Sequence, residues 1–331
     1  MSLDLKDKKI LYYLDRNARQ SNAEIARSAG ISKQVVGFRI KKFIDDAIIS
    51  FFYTIVDVSK FGFTLHKNFV RFHNLTRKKE EEFIQFLKEN KDIVWAASCD
   101  GMYDFVFSIW SKDLNYLNNV LKEINNKFGD FIYERQVATI LRGDYFPRDY
   151  LLNKKRDSIS EVAFYGSTGE KENLDEIDKK VLLELGKNAR INAVDISTII
   201  KISADAVADR IRKLERLKII KNYIIVPNEM NYPYLHYKVL LSLRNSSDEF
   251  ERRLVQYCKS NSNIIYIVKA LGQWDYEIDV EVENVEKFRE LMMSIKTEFQ
   301  DNLKDYSPLN IYKVHKYNFF PSIFNEKDMK K

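Results

Sequence analysis

The stretch "GISKQVVGFRIKKF", residues 30 to 43, decides how the chain is read. Gly30 follows an apolar-faced helical segment where a left-handed turn residue is needed, and Ser32 is placed to cap the next helix. Val36, Ile40 and Phe43 then recur at i, i+4 and i+7, giving that helix one inner face and leaving Lys33, Gln34, Gly37, Phe38 and Lys41 outside. Upstream, "SNAE" (21 to 24) carries the capping-box pattern, and Ile10, Leu11 and Leu14 stripe an earlier helix that ends at Asn17-Ala18-Arg19. Three short helices with a glycine turn between the last two make a helix-turn-helix. The β-rich "SFFYTIVDV" (50 to 58) should leave it as a strand or wing.

The device recurs at "KISADAVADRIRKL", residues 201 to 214. Sliding the chain along itself by 171 positions lays "LDLKDKKILYYLDRNAR" (3 to 19) on "LDEIDKKVLLELGKNAR" (174 to 190). The same offset keeps Ser32 on Ser203, Val36 on Val207, Arg39 on Arg210, Gly101 on Gly272 and Asp104 on Asp275. One unbroken offset over so long a span indicates internal duplication. Near the end the register changes by three, "YFP" (145 to 147) meeting "FFP" (319 to 321). The polar "NKKRDSISEVAFYGSTGEKEN" (153 to 173) between the copies reads as a linker.

After each helical part the pattern runs strand, helix, two strands, helix, strand. In the first copy these are "HKNFVRF", "RKKEEEFIQFLKEN", "IVWAASC", "YDFVFSIW", "DLNYLNNVLKEINNKF" and "FIYERQVATIL", and the second copy repeats the order. That is the ferredoxin-like βαββαβ unit, an antiparallel sheet with both helices on one face. The expected class is therefore α+β, two tandem units, each a winged helix-turn-helix followed by a ferredoxin-like domain. The boundaries fall at 1–60 and 61–150, a linker 151–173, then 174–230, 231–322 and a tail 323–331. Pairing the two sheets face to face within one chain is the economical way to cover their open faces.

Composition narrows the function classes. In 331 residues no apolar run approaches the roughly 18 residues of a membrane span, and "MSLDLKDKKI" lacks the features of a signal peptide, so a cytoplasmic protein with no membrane partner is expected. The two cysteines, Cys99 and Cys258, do not match across the copies, which argues against a disulfide framework or zinc site. The net charge of +6 permits a polyanionic partner without requiring one.

The order and spacing of "LDLKDKKIL", "NAR", "AEIARSAGIS", "VVGFRIKKF", "AII" and "DGMYDF", echoed by "LDEIDKKVL", "NAR", "ISADAVADRIRKL", "KII" and "LGQWDYEI", resemble the Lrp/AsnC ("feast/famine") family of prokaryotic transcription regulators. The resemblance covers nearly the whole chain twice. Family members usually carry one unit per chain and work as dimers or larger assemblies, so the resemblance implies an intrachain pseudo-dimer, with further homo-oligomerisation through edge strands left open. It also implies double-stranded DNA as partner and a small effector, commonly an amino acid, near the Gly-x-(aromatic)-Asp loops. Those loops are Gly101, Tyr103 and Asp104, and Gly272, Trp274 and Asp275; the alternative for them is a plain hairpin turn.

A recognition helix meets base edges with side chains near its N-terminus while basic residues hold phosphates. In the first copy the candidates are Ser32, Lys33, Gln34, Phe38, Arg39, Lys41 and Lys42. Gln34 can pair with adenine, Lys33 can reach guanine acceptors and Phe38 can touch a thymine methyl. In the second copy they are Ser203, Asp205, Arg210, Arg212 and Lys213, with Asp205 and Asp209 standing where Gln34 and Phe38 stand. Lys201 replaces the turn glycine. Two carboxylates facing phosphates weaken binding, so the heads should read different half-sites in an asymmetric operator, or the second should mainly position.

The alternatives are a sensing or scaffold protein whose heads no longer bind DNA, and an enzyme like the siroheme decarboxylases, which share this architecture. His66, His73, His236 and His315 never coincide between the copies, and no metal spacing, nucleophile pair or phosphate loop stands out. No catalytic residue, metal or cofactor is expected.

Overall fold

The computed structural model describes residues 3–154, 156, 163–166 and 171–319. The first head is α1 (Leu5–Arg16), α2 (Asn22–Ala29) and α3 (Lys33–Asp45), capped by Asp4, Ser21 and Ser32, whose side chains accept from the amides of Asp7, Glu24 and Val35. Gly30 has φ 68°, so the left-handed turn is as the sequence requires. Its counterpart Lys201 adopts φ 60°, ψ 50° despite its side chain. Lys201→Gly is expected to stabilise the second head by about 1 kcal/mol, read as a raised denaturation midpoint.

The chain continues through β1 (Ile49–Val56), β2 (Thr64–Phe72), α4 (Arg77–Glu89), β3 (Ile93–Asp100), β4 (Phe105–Ser111), α5 (Leu114–Phe128) and β5 (Ile132–Tyr145), then β6 (Ala163–Gly166) inside the segment read as linker. The second copy is α6 (Glu176–Lys187), α7 (Ala193–Ile200), α8 (Ala204–Arg216), β7 (Ile220–Pro227), β8 (Leu235–Leu243), α9 (Asp248–Ser260), β9 (Ile264–Leu271), β10 (Tyr276–Val282), α10 (Val285–Glu298) and β11 (Leu303–Tyr317). The expected order is present in both copies. The tail 323–331 lies outside the described residues.

Neither connector strand folds back as a wing on its own head. β1 pairs antiparallel with β7, forming a two-stranded ribbon shared between the copies. The sheets are also more closely joined than simple face-to-face packing. β5 pairs first with β2 of its own unit and then with β9 of the other, while β11 pairs first with β8 and then with β3. The strand order β2-β4-β3-β11-β8-β10-β9-β5, closed by β5 on β2, makes a ring of eight antiparallel strands. The ring is not paired throughout: among the described residues Ile132–Ala138 of β5 pair with β2 alone and Leu303–Leu309 of β11 with β8 alone, and β6 pairs with the end of β5 as a ninth, edge strand.

Alternation along the strands divides the core. Phe105, Phe107 and Ile109 of β4 pack outward with Phe83 and Leu87 of α4 and Ile124 of α5. Ile278 and Val280 of β10 do the same with Leu254 of α9 and Leu291 and Ile295 of α10. The intervening residues face the interior of the ring. In β4 these are Val106, Ser108 and Trp110, whereas in β10 the same register holds Glu277, Asp279 and Glu281, all buried.

Candidate nucleic-acid interface

On the first head, Ser32 is spent on the cap of α3, and Lys33 and Gln34 stand exposed in its first turn. Phe38 is 69% exposed, unusual for a large aromatic side chain on a helix that buries Val36, Ile40 and Phe43. Lys41 and Lys42 are exposed, and among the described residues no carboxylate pairs with Lys33, Lys41 or Lys42. Arg39 is different. Its Nη1 donates to Asp4 at 2.7 Å and Asp7 at 2.5 Å, so it braces α3 against the start of α1 and is not free to hold a phosphate.

The second head spends more of its cations internally. Arg210 bonds Asp175 and Asp178, and Lys213 reaches Asp178 at 2.6 Å, again tying the third helix to the first. Arg212 pairs at 2.5 Å with Asp209, both side chains exposed. Ser203 caps α8, and Asp205 sits exposed in its first turn. From the sequence, α3 carries four basic and one acidic residue, net +3, while α8 carries four basic and three acidic, net +1. Of the basic candidates, then, Lys33, Lys41 and Lys42 have no carboxylate partner among the described residues, while Arg39, Arg210 and Lys213 are internal braces.

What holds the heads together went unread in the sequence, although the "NAR" motif marks it. Arg19 Nη1 donates to the carbonyls of Ala189 at 2.6 Å and Ile191 at 2.8 Å. Arg190 returns the same bonds to Ala18 and Gln20. Ala18 N donates to Tyr223 O, and Ala189 N to Phe52 O, so each motif also docks on the ribbon strand of the other copy. All of these pairs are related by the 171-residue offset, which makes the contact self-complementary, as in a two-fold dimer.

One strut breaks that symmetry. Arg148 donates through Nε and Nη2 to both oxygens of Glu281 at 2.8 Å and through Nη1 to Asp15 of α1 at 2.6 Å. Asp15 also accepts from Tyr145 Oη and Arg148 N. It therefore fastens the first head to the ring, whereas the equivalent position of the second head is Gly186.

The Gly-x-(aromatic)-Asp loops are placed at the seam between the copies. A Cβ on Gly101, at φ 138°, would lie 2.9 Å from Pro308 O of β11, and one on Gly272 would lie 3.1 Å from Val137 O of β5. The glycines thus permit close approach of the other copy's last strand. Asp104 and Asp275 accept from the amides of Phe72 and Leu243 at 2.7 Å, pinning the ends of β2 and β8. Tyr103 and Trp274 are buried against Phe69 and fill one end of the ring's interior.

The four histidines do not converge. His66 bonds Thr139, His315 bonds Ser98, His73 meets the Tyr133 ring, and His236 lies by Asp279 at 3.0 Å and Glu229. Burial alone lowers the His236 imidazole, but its hydrogen bond to Asp279 and the nearby Glu229 carboxylate outweigh that and raise it to about 9. The stability it contributes is fully present below the unfolded value near 6.5 and is lost as pH rises through about 9. A midpoint that falls between pH 7 and 10 in the parent and falls less in His236→Gln is the expected result. Burial pushes the Cys99 thiol up to about 12, consistent with an inert core residue.

Comparison with known proteins agrees with this geometry. Residues 3–49 match a winged helix-turn-helix DNA-binding model and residues 174–215 an AsnC-type helix-turn-helix domain. The HTH-type transcriptional regulator Ptr1 of Methanocaldococcus jannaschii is 37% identical over 123 residues, which is 37% of this chain and 80% of the relative. LrpB of Bacillus subtilis, also an HTH-type transcriptional regulator, is 29% identical over 131 residues, 40% of this chain and 86% of its own. The siroheme decarboxylase NirDL matches across 97% of this chain and 96% of its own at TM-score 0.59 and 12% identity, a likeness of fold. A helix-turn-helix regulator fold repeated in tandem is the class these observations define. The chain belongs to the Lrp/AsnC family.

Proposed function

We propose that the protein is a sequence-specific regulator that binds double-stranded DNA as a pseudo-dimer and reads an asymmetric operator. The observation that carries this is the pair of recognition helices: α3 presents Lys33, Gln34, Phe38 and Lys41 exposed and, among the described residues, without a carboxylate partner, while α8 presents Asp205 and an Asp209–Arg212 pair at the same positions. The first face can read bases and hold phosphates; on the second, an aspartate can accept from cytosine N4 but repels the backbone. The reciprocal Arg19 and Arg190 bonds fix the heads relative to one another, so both meet one duplex in a set spacing.

Selection of bound duplexes from a random pool at moderate salt tests the reading. An enriched motif with one well-defined and one weaker or different half is expected; a perfect palindrome would overturn the asymmetry, and no enrichment would overturn sequence-specific reading. A second reading, chemistry on a tetrapyrrole, rests on the fold match to NirDL along the whole chain. A porphyrin-type absorption band in the purified protein would favour it.

A further inference from the structure

The ring of eight strands has an interior of the size that either fills with side chains or holds one small ligand. One end is filled by Phe69, Tyr103 and Trp274, with Phe69 and Trp274 ring centroids 4.6 Å apart. Among the described residues, the other end is not filled. There the β1–β7 ribbon lies over the ring, and beneath Tyr53, Ile55, Ile224 and Val226 a cavity of about 100 Å³ remains. That is the order of the cavities that accept a single benzene ring.

Two features of the lining point to an occupant. First, Ser108 of β4 is fully buried, lines the cavity, and its Oγ has no hydrogen-bond partner among the described residues. A hydroxyl desolvated without a partner costs stability, so a ligand group that bonds it recovers that loss. Second, every cation of the lining is already held by a carboxylate. Lys67 lies 2.5 Å from Glu277, Lys238 2.7 Å from Asp279, Arg148 2.8 Å from Glu281 and His236 3.0 Å from Asp279. None of these cations remains uncompensated to attract an anion. The apolar part of the walls mixes aliphatic side chains with aromatic ones, Trp95, Trp110, Tyr145 and Tyr266 among them.

We propose that this cavity is a binding site for an uncharged, single-ring aromatic molecule carrying one hydrogen-bonding group, with that group on Ser108 Oγ and the ring against the aromatic walls. The site is distinct from the Gly-x-(aromatic)-Asp loops, whose aromatic side chains occupy the opposite end. It is also one-handed: the offset that places Lys67 on Lys238 places Ser108 on Asp279, so the ring offers its hydroxyl on one side only.

Two of the three tryptophans, Trp95 and Trp110, line the cavity, so intrinsic fluorescence reports occupancy. The full chain is titrated with benzamide and phenol as neutral probes, and with benzoate and benzylamine as their charged counterparts. Saturable fluorescence change and a raised thermal midpoint with a neutral probe, and neither with the charged ones, is the expected outcome. Ser108→Ala should leave the unliganded midpoint unchanged or higher and weaken the neutral probe about five- to tenfold, the loss of one hydrogen bond. Ser108→Leu should fill the cavity and abolish binding. No saturable response to either neutral probe, binding unaltered in Ser108→Ala, or benzoate bound as tightly as benzamide would each overturn the proposal.

Discussion

Arg148→Ala is expected to destabilise the protein by about 3–5 kcal/mol, the cost typical of removing one partner from a buried ion pair. The side chain is 6% exposed and stands between two carboxylates, Asp15 at 2.6 Å and Glu281 at 2.8 Å. Without it both acids remain buried, and the cheapest response is for one to take up a proton. Burial already raises Asp15 above the usual carboxylate range even with Arg148 present. A buried acid whose folded pKa lies above its unfolded value favours folding below that unfolded value and loses the advantage as pH rises through the folded one. The variant should therefore be less impaired near pH 5 than near pH 8, measured as chemical denaturation midpoints. The double change Asp15→Ala/Arg148→Ala should cost less than the two single costs added, because it leaves one fewer unpaired charge. Hydrogen exchange should show the added opening in α1, since α6 has Gly186 where α1 has the strut's carboxylate.

The second large effect concerns DNA. Lys33→Ala/Lys41→Ala should weaken binding roughly a hundredfold at 0.1 M salt, about tenfold for each cation removed, and flatten the plot of log K against log salt by about 1 for Lys41 on a phosphate, with Lys33 relaxing the preference for guanine. Neither side chain has a carboxylate partner among the described residues, so stability should be unaffected. The corresponding change on the other head, Asp205→Gln/Asp209→Ala, should act in the opposite direction and tighten binding. Arg39→Ala is the informative contrast: it should cost stability through the missing brace to Asp4 and Asp7 and leave the salt slope unchanged. An unchanged slope in the double lysine variant would show that α3 does not face the backbone.

The helix-turn-helix units were legible because their signals are local. Ser21, Gly30 and Ser32 act within four residues of their own positions, and the stripe Val36, Ile40, Phe43 needs no knowledge of the partner. The strand exchange was not legible, since nothing in "FIYERQVATIL" or the residues after it says that the strand pairs with the other copy from Thr139 onward. Sequence also cannot distinguish an arginine that faces outward from one that faces its own first helix. Arg39 lies one turn from Lys42, which does point out, and only the packing of Asp4 and Asp7 separates them; on the second head Asp175 and Asp178 capture Arg210 in the same way. The strut did leave a trace: Asp15 and Glu281 fall on Gly186 and Trp110 under the duplication, and paired departures from a repeat are where asymmetric function is built. The interior carboxylates were visible too, as "YEIDVEV" alternates acid with apolar where "FVFSIWS" does not, although that pattern alone reads as a solvated face.

The crossing of β5 and β11 changes how assembly depends on abundance. Two separate chains that swapped these strands would meet at a rate set by their concentration and would part on dilution. Here the second unit is tethered to the first by the segment after β5, so its effective local concentration is of the millimolar order that short linkers provide. A single copy in a cell is already a complete pair of heads, and occupancy of its operator should follow the number of chains linearly, without the squared dependence of a regulator that must first dimerise.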